Sequence, residues 1–126
     1  MKSVFFLDDD PERTKKFLEH FPSARCFSTA ASIVAELKEG VEIDFLFLDH
    51  DLGGETFVKS DREDCGMEVV RHLLTNKRKI GFIVVHTHNT YAGMLMTERL
   101  ENGGYLVVRE PFYRFDWKNI KTAIES

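Results

Sequence analysis

The chain has 126 residues, 43% hydrophobic and 30% charged, with a net charge of −4. That length suits one domain (1–126) with a proper core, and the acid excess argues against bulk attraction to nucleic acid or anionic lipid. No apolar run approaches a membrane span, Cys26 and Cys65 lack the spacing of a zinc motif or a disulfide framework, and the acidic cluster from Asp8 predicts no signal peptide, so a cytoplasmic protein is expected.

Val4-Phe5-Phe6-Leu7 is a short, uniformly apolar stretch that suits a buried strand, and it ends in Asp8-Asp9-Asp10. Pro11 suits the first turn of a helix with Asp10 as its cap, running to about Phe21 before Pro22. Ala24 to Phe27 reads as a second strand, with Cys26 as a small core filler. Ser28 or Thr29 then caps a helix carrying Ile33, Val34 and Leu37, closed by Gly40.

A third strand from about Ile43 runs through Phe45-Leu46-Phe47-Leu48 and stops at Asp49-His50-Asp51, followed by the Gly53-Gly54 pair. Residues Gly53 to Asp64 are polar and lack helical periodicity, which predicts a long loop. Gly66 to Thr75 reads as a helix with Met67, Val69, Val70, Leu73 and Leu74 facing inward. Phe82 to Val85 is the fourth strand and ends in His86-Thr87-His88-Asn89. A helix over Tyr91 to Glu101 follows, then a fifth strand over Tyr105 to Val108, and Asp116 caps a terminal helix from Trp117. His20 and His72 fall on helices as surface residues. Phe112, Tyr113 and Trp117 are candidates either for the core or for a dimer contact in a homo-oligomer.

Strands alternating with helices predict a flavodoxin-like (βα)5 sandwich, a parallel sheet of order 2-1-3-4-5 with helices on both faces. Such sheets bind ligands at the carboxyl ends of their strands, near the switch point between strands one and three. That edge would carry Asp8, Asp9, Asp49, His50, Asp51, His86, Thr87, His88 and Asn89. Clustered carboxylates repel one another unless a cation or a proton intervenes, so Asp8, Asp9, Asp49 and Asp51 are candidate ligands of a divalent ion, with Mg²⁺ or Mn²⁺ the expected identities. Asp51 has the alternative of an Asx turn with Gly53, and Asn89 of capping the next helix. His50 and His86 are candidate acid–base groups, and Thr87, His88 and Asn89 candidate phosphate contacts. The Gly53–Asp64 loop is a candidate lid offering Lys59 and Arg62 to phosphate.

The pattern resembles a response-regulator receiver domain over nearly the whole chain. Asp8-Asp9 matches that family's Mg²⁺ acids, Asp49 its phospho-accepting aspartate and Thr87 its hydroxyl residue. Where the family has a Lys before the Pro after strand five, this chain has Glu110, with Arg109 one position away. A glutamate cannot pair with an acyl phosphate on Asp49. The chain is more similar to the cyclic-phosphate-processing receiver-like domains of bacteria and their phages, through Leu7-Asp8-Asp9, the stretch Phe47 to Gly54, and Val85-His86-Thr87-His88-Asn89 leading into Ala92-Gly93-Met94. Thr87 stands for a Ser, Thr90 for a common Pro, and Gly93 is shifted by one.

That resemblance implies a phosphodiesterase opening a cyclic nucleotide or a 2′,3′-cyclic RNA end, in phage counter-defence or nucleic-acid repair. Asp49 would be a ligand or a direct nucleophile. A non-catalytic module that sequesters a cyclic nucleotide, or a receiver switched by phosphorylation at Asp49, is the other expectation.

Overall fold

The computed structural model describes residues 2–126. Its elements are β1 (Val4–Leu7), α1 (Pro11–His20), β2 (Arg25–Phe27), α2 (Ala30–Lys38), β3 (Ile43–Leu48), α3 (Gly66–Thr75), β4 (Ile80–Val85), α4 (Thr90–Asn102), β5 (Val107–Arg109), a single 3₁₀ turn (Phe112–Arg114) and α5 (Trp117–Glu125). The strands form one parallel sheet in the order β2-β1-β3-β4-β5, the flavodoxin-like arrangement expected from the alternation of elements.

Local chemistry sets the helix starts. Asp10 accepts from the Glu12 N–H ahead of Pro11, Thr29 from Ser32, Asn89 from Ala92 and Asp116 from Asn119, each satisfying a donor that the first helical turn leaves unpaired. Gly40 adopts a φ of +79°, which lets the chain leave α2 sharply.

Because side chains alternate along a strand, the sheet carries two cores. Phe5, Leu7, Leu46, Leu48, Ile83 and Val85 face one way, against Ile33, Leu37, Met67, Leu73, Met96 and Leu100 from α2, α3 and α4. Phe6, Phe47 and Val84 face the other, against Phe17 and Phe21 at α1 and Phe112, Phe115 and Ile124 beside α5. The second core is largely aromatic. Phe6 and Phe17 stack at 4.1 Å between ring centroids, and Phe17 meets Phe47 edge-on at 4.9 Å.

Several expectations are corrected. The last strand is Val107–Arg109 rather than Tyr105–Val108, because the buried Tyr105 serves as a strut: its hydroxyl donates to Leu73 O and accepts from Arg78 N–H. Leu74, expected to face inward, is 42% exposed, since one helical face already supplies Met67, Val69, Val70 and Leu73. β4 begins at Ile80, two residues earlier than the apolar run suggested. His20 and His72 are half-buried rather than surface residues, and the His20 ring stacks on Trp117 at 4.1 Å. Phe112 belongs to the core while Tyr113 is exposed. No helix among the described residues is long and apolar enough to cross a membrane.

Candidate functional site

The strand ladder determines which side chains meet. Leu7 pairs with Leu48, and Leu48 with Val85, so the residues that follow are Asp8, Asp49 and His86 in one row. The row continues one bond past the strands: Asp49 N–H donates to Leu7 O at 3.0 Å and His86 N–H to Leu48 O at 2.9 Å. By alternation all three side chains fall on the face of Phe6, Phe47 and Val84, under the start of α1. They converge: one ligating atom from each of Asp8, Asp49 and His86 lies within 4.8 Å of the others, and all three residues are buried.

Their electrostatics differ sharply. Burial pushes the Asp8 carboxyl up, but hydrogen bonds from His86 and Arg13 win and hold it well below the usual carboxylate range. Asp8 is therefore ionised and can only accept, so His86 Nε2, 3.0 Å from Asp8 Oδ2, carries a proton. The ring is held between Phe6, stacked at 4.8 Å, and the edges of Phe112 and Phe115. Asp49 goes the other way. Burial, with the Asp8 charge adding to it, pushes its carboxyl up to about 6 against the pull of His86 and Arg13. Its Oδ1 accepts from His50 N–H at 2.8 Å, while its Oδ2 is buried with no hydrogen-bond partner. An unpartnered buried carboxylate oxygen costs stability unless a ligand or proton meets it, and such atoms mark binding sites.

A cleft of about 340 Å³ opens over this row, lined by Asp9, Asp10, Arg13, Asp49, Asp51, Gly54, Glu55, Thr56, His86, Thr87 and His88. Asp9 reaches the opposite wall, where its Oδ2 accepts from Gly54 N–H at 2.5 Å and ties the loop to the sheet edge. Thr87 is buried and accepts from Asn89 N–H, leaving its hydroxyl hydrogen available. His88 stands at the mouth, edge-on to Tyr113 at 5.1 Å; burial and the nearby Arg13 and His86 hold its pKa down.

Other expected site residues lie elsewhere. His50 does not face the cleft. One step along the chain from Asp49, it points to the opposite side, where it is fully buried: Nδ1 lies 2.8 Å from Asp51 Oδ1 and Nε2 3.0 Å from Ser60 Oγ. Burial works to lower its pKa, but the Cys65 thiol and the Asp51 carboxylate raise it. Both ring nitrogens are occupied, so His50 anchors the 49–65 loop rather than exchanging protons with a ligand in the cleft.

Asp51 lines the cleft, but its oxygens are committed. Oδ1 accepts from Val58 N–H at 3.0 Å and Asn89 Nδ2 at 3.3 Å beside its contact with His50, and Oδ2 accepts from Phe57 N–H at 2.9 Å. The N–H groups it accepts are those of Phe57 and Val58 instead of Gly53, and the residues whose ligating atoms converge are Asp8, Asp49 and His86. Asn89 is likewise spent, between Asp51 and the cap of α4.

Arg62 pairs with Glu55 and Asp64, and Lys59 lines a separate groove with Phe57, Tyr91 and Leu95. Neither cation reaches the cleft. Arg71 fastens the same loop, donating to the carbonyls of Ser60 and Arg62. Instead of a free lid, the 49–65 segment is a loop pinned at Asp9, His50, Asp51 and Arg71.

Arg13 is the site residue that sequence reading missed. It occupies the first turn of α1, five residues after Asp8, and forks onto both Asp8 oxygens at 2.8 and 2.9 Å. Its signal was the i, i+3 spacing from the capping Asp10, whose Oδ2 is 3.0 Å from Nη1. Glu110, in the position of the receiver Lys, faces an apolar groove with Phe82, Val108 and Phe115 and does not meet Asp49.

Comparison with known proteins agrees with this geometry. The family model for the cyclic-phosphate processing receiver domain matches residues 4–102. Among solved structures the chain is similar to the response regulator TrrA from Thermotoga maritima in complex with Mg²⁺ and BeF, at 16% identity, TM-score 0.67, and coverage of 99% of this chain and 97% of that one. It is similar also to a response regulator from Colwellia psychrerythraea, at 15% identity, TM-score 0.65 and coverage of 98% and 94%. A third is the N-terminal domain of a response regulator/sensory box/GGDEF protein from Carboxydothermus hydrogenoformans, at 13% identity, TM-score 0.66 and coverage of 98% and 91%. At these identities the structures support the receiver fold alone. The comparison with curated protein sequences finds no match.

Proposed function

Since this chain belongs to the cyclic-phosphate processing receiver domain family, we propose that its cleft binds the cyclic phosphate of a cyclic nucleotide or of a 2′,3′-cyclic RNA end and hydrolyses it. The observation that carries this reading is the convergence of Asp8, Asp49 and His86, with Asp49 Oδ2 buried and without a hydrogen-bond partner among the described residues.

Two carboxylates and an imidazole within a few ångströms fit a divalent ion, Mn²⁺ somewhat better than Mg²⁺ because of the nitrogen donor. Asp8, Asp49 and His86 would hold it, and when bound it would polarise the phosphoryl oxygen. With no ion on it, the Asp49 carboxyl, pushed up to about 6 by burial, would be the group to take a proton from the attacking water; where it holds the ion it would act as a ligand instead. As the water oxygen bonds to phosphorus, one ring P–O bond breaks, and the leaving oxygen takes up a proton to give a phosphomonoester. His86, whose Nε2–H is held by Asp8, would offer the ion its Nδ1, which has no hydrogen-bond partner among the described residues, and the leaving oxygen would take its proton from water at the cleft mouth. The Thr87 hydroxyl would donate to a non-bridging oxygen, and His88 at the mouth would meet the rest of the ligand.

A second reading, a receiver phosphorylated on Asp49, draws on the same unpartnered Oδ2 and on the Mg²⁺–BeF complex of TrrA. The acidic side chain of Glu110, lining a separate groove with Phe82, Val108 and Phe115 where a receiver would offer a cation, weighs against it. The deciding experiment incubates the protein with cyclic mono- and dinucleotides and 2′,3′-cyclic-ended RNA, with Mg²⁺, Mn²⁺ or EDTA, beside an acetyl phosphate arm. Ring-opened product that is lost in Asp49→Asn and in His86→Ala supports hydrolysis. Stoichiometric retention without product means sequestration, and label on Asp49 means a switch.

A further inference from the structure

Arg13 faces three carboxylates at the cleft, those of Asp8, Asp10 and Asp49. Its Nε and Nη2 fork onto Asp8 at 2.8 and 2.9 Å, Nη1 is 3.0 Å from Asp10 Oδ2, and Nη2 is 3.6 Å from Asp49 Oδ2. We propose that Arg13 is an internal counter-ion that competes with a divalent cation for Asp8, and that, once displaced, it turns to the phosphoryl oxygens of the ligand. The proposal rests on the metal-binding part of the reading above.

The competition follows from geometry. The fork uses both oxygens of Asp8, so an ion held by Asp8, Asp49 and His86 must take an oxygen that the guanidinium already holds. Two cations a few ångströms apart also repel strongly where water is largely excluded. Arg13 cannot yield by losing a proton, because guanidinium stays charged in proteins and its acidic neighbours reinforce that charge; it must move. It has room to do so. Its side chain is 29% exposed and lines the cleft, while Asp8 and Asp49 beneath it are almost wholly shielded. The freed fork then stands over the cleft with up to five N–H donors, a set that matches phosphate bidentately.

The contrasting role is a fixed strut tying α1 to the sheet edge, in which case losing Arg13 would not improve the cation site. Calorimetric titration of the whole chain with Mn²⁺, without substrate, separates the two. Arg13→Gln should bind Mn²⁺ about tenfold more tightly or better, the order expected from removing one full charge at this separation. Arg13→Lys, which keeps the charge without the fork, should stay within a few-fold of wild type. With Mn²⁺ saturating, inorganic phosphate should bind more weakly to Arg13→Gln than to wild type. Circular dichroism and thermal melting establish that the variants are folded; if Arg13→Gln is not, Arg13→Lys against wild type carries the comparison, through the loss of phosphate binding with Mn²⁺ bound. Unchanged or weaker Mn²⁺ binding in a folded Arg13→Gln would overturn the proposal. So would the absence of Mn²⁺ binding in every form, while metal-independent turnover in EDTA would leave the hydrolase reading standing without it.

Discussion

His86 Nε2 lies 3.0 Å from Asp8 Oδ2, joining the ends of β4 and β1, two strands that do not pair and have β3 between them. The bridge is buried and passes over Asp49, so it both shapes the site and clamps the sheet edge. His86→Ala removes a ring stacked on Phe6 and a partner of a buried carboxylate, and should cost about 2–4 kcal/mol. Urea denaturation measures it. A loss below about 0.5 kcal/mol, the scatter of ordinary surface substitutions, would show the bridge to be incidental.

Asp49 should make stability fall as pH rises. Its carboxyl is raised from 3.8 to about 6, so the folded protein holds the proton more tightly than the unfolded chain. The stabilisation is complete below the unfolded value and is lost as pH climbs through about 6. Asp49→Asn should therefore gain on wild type by about 1.5 kcal/mol between pH 5 and pH 8, roughly half of the whole effect, which begins near the unfolded value. Asp8, shifted downward, loses its contribution only as pH falls below the usual carboxylate range, so the two windows are separate. A difference between Asp49→Asn and wild type that stays flat from pH 5 to 8 in urea melts would contradict the burial of that charge.

Two glycines should respond unequally to alanine. A Cβ on Gly66 would lie 1.8 Å from Asp49 O and 2.9 Å from His50 Cα, atoms of the backbone that carries the site. On Gly93 the nearest atoms, at 3.0 Å, belong to side chains instead of backbone, Arg109 Nε and Thr87 Cγ2. Gly66→Ala should cost about 3 kcal/mol or prevent folding, and Gly93→Ala about 1 kcal/mol. Comparing their thermal midpoints tests the ranking.

Asp51 should govern the order of the loop rather than a metal. Asp51→Ala removes the acceptor of the Phe57 and Val58 N–H groups, of Asn89 and of His50. Amide exchange at Phe57 and Val58 should accelerate by about tenfold or more, with a stability loss of about 1–3 kcal/mol. Mn²⁺ affinity should change much less than in Asp8→Asn. Loss of the metal with intact amide protection would restore Asp51 as a ligand.

The fold was legible because its signals are local. Apolar runs ending in acids marked β1 and β3, and Asp10-Pro11, Thr29, Asn89 and Asp116 marked helix starts through hydrogen bonds made within two or three residues. Strand order followed from connection rules, and Asp8, Asp49 and His86 could be nominated because each ends a buried strand. Boundaries at β5 were missed because Tyr105 reads as strand-forming while its hydroxyl is drawn to Leu73, thirty-two residues away.

Sequence alone thus determined which segments face water, how they wind, and which edge of the sheet holds the chemistry. Tertiary structure decided how that edge is divided. Register aligned Leu7, Leu48 and Val85, alternation sent Asp49 into the cleft and His50 into the opposite core, and Arg13 reached Asp8 from a neighbouring helix while Arg62 closed on Glu55. A side chain's partner depends on the direction in which its backbone presents it and on which charge stands nearest, and both are set only when distant segments have packed.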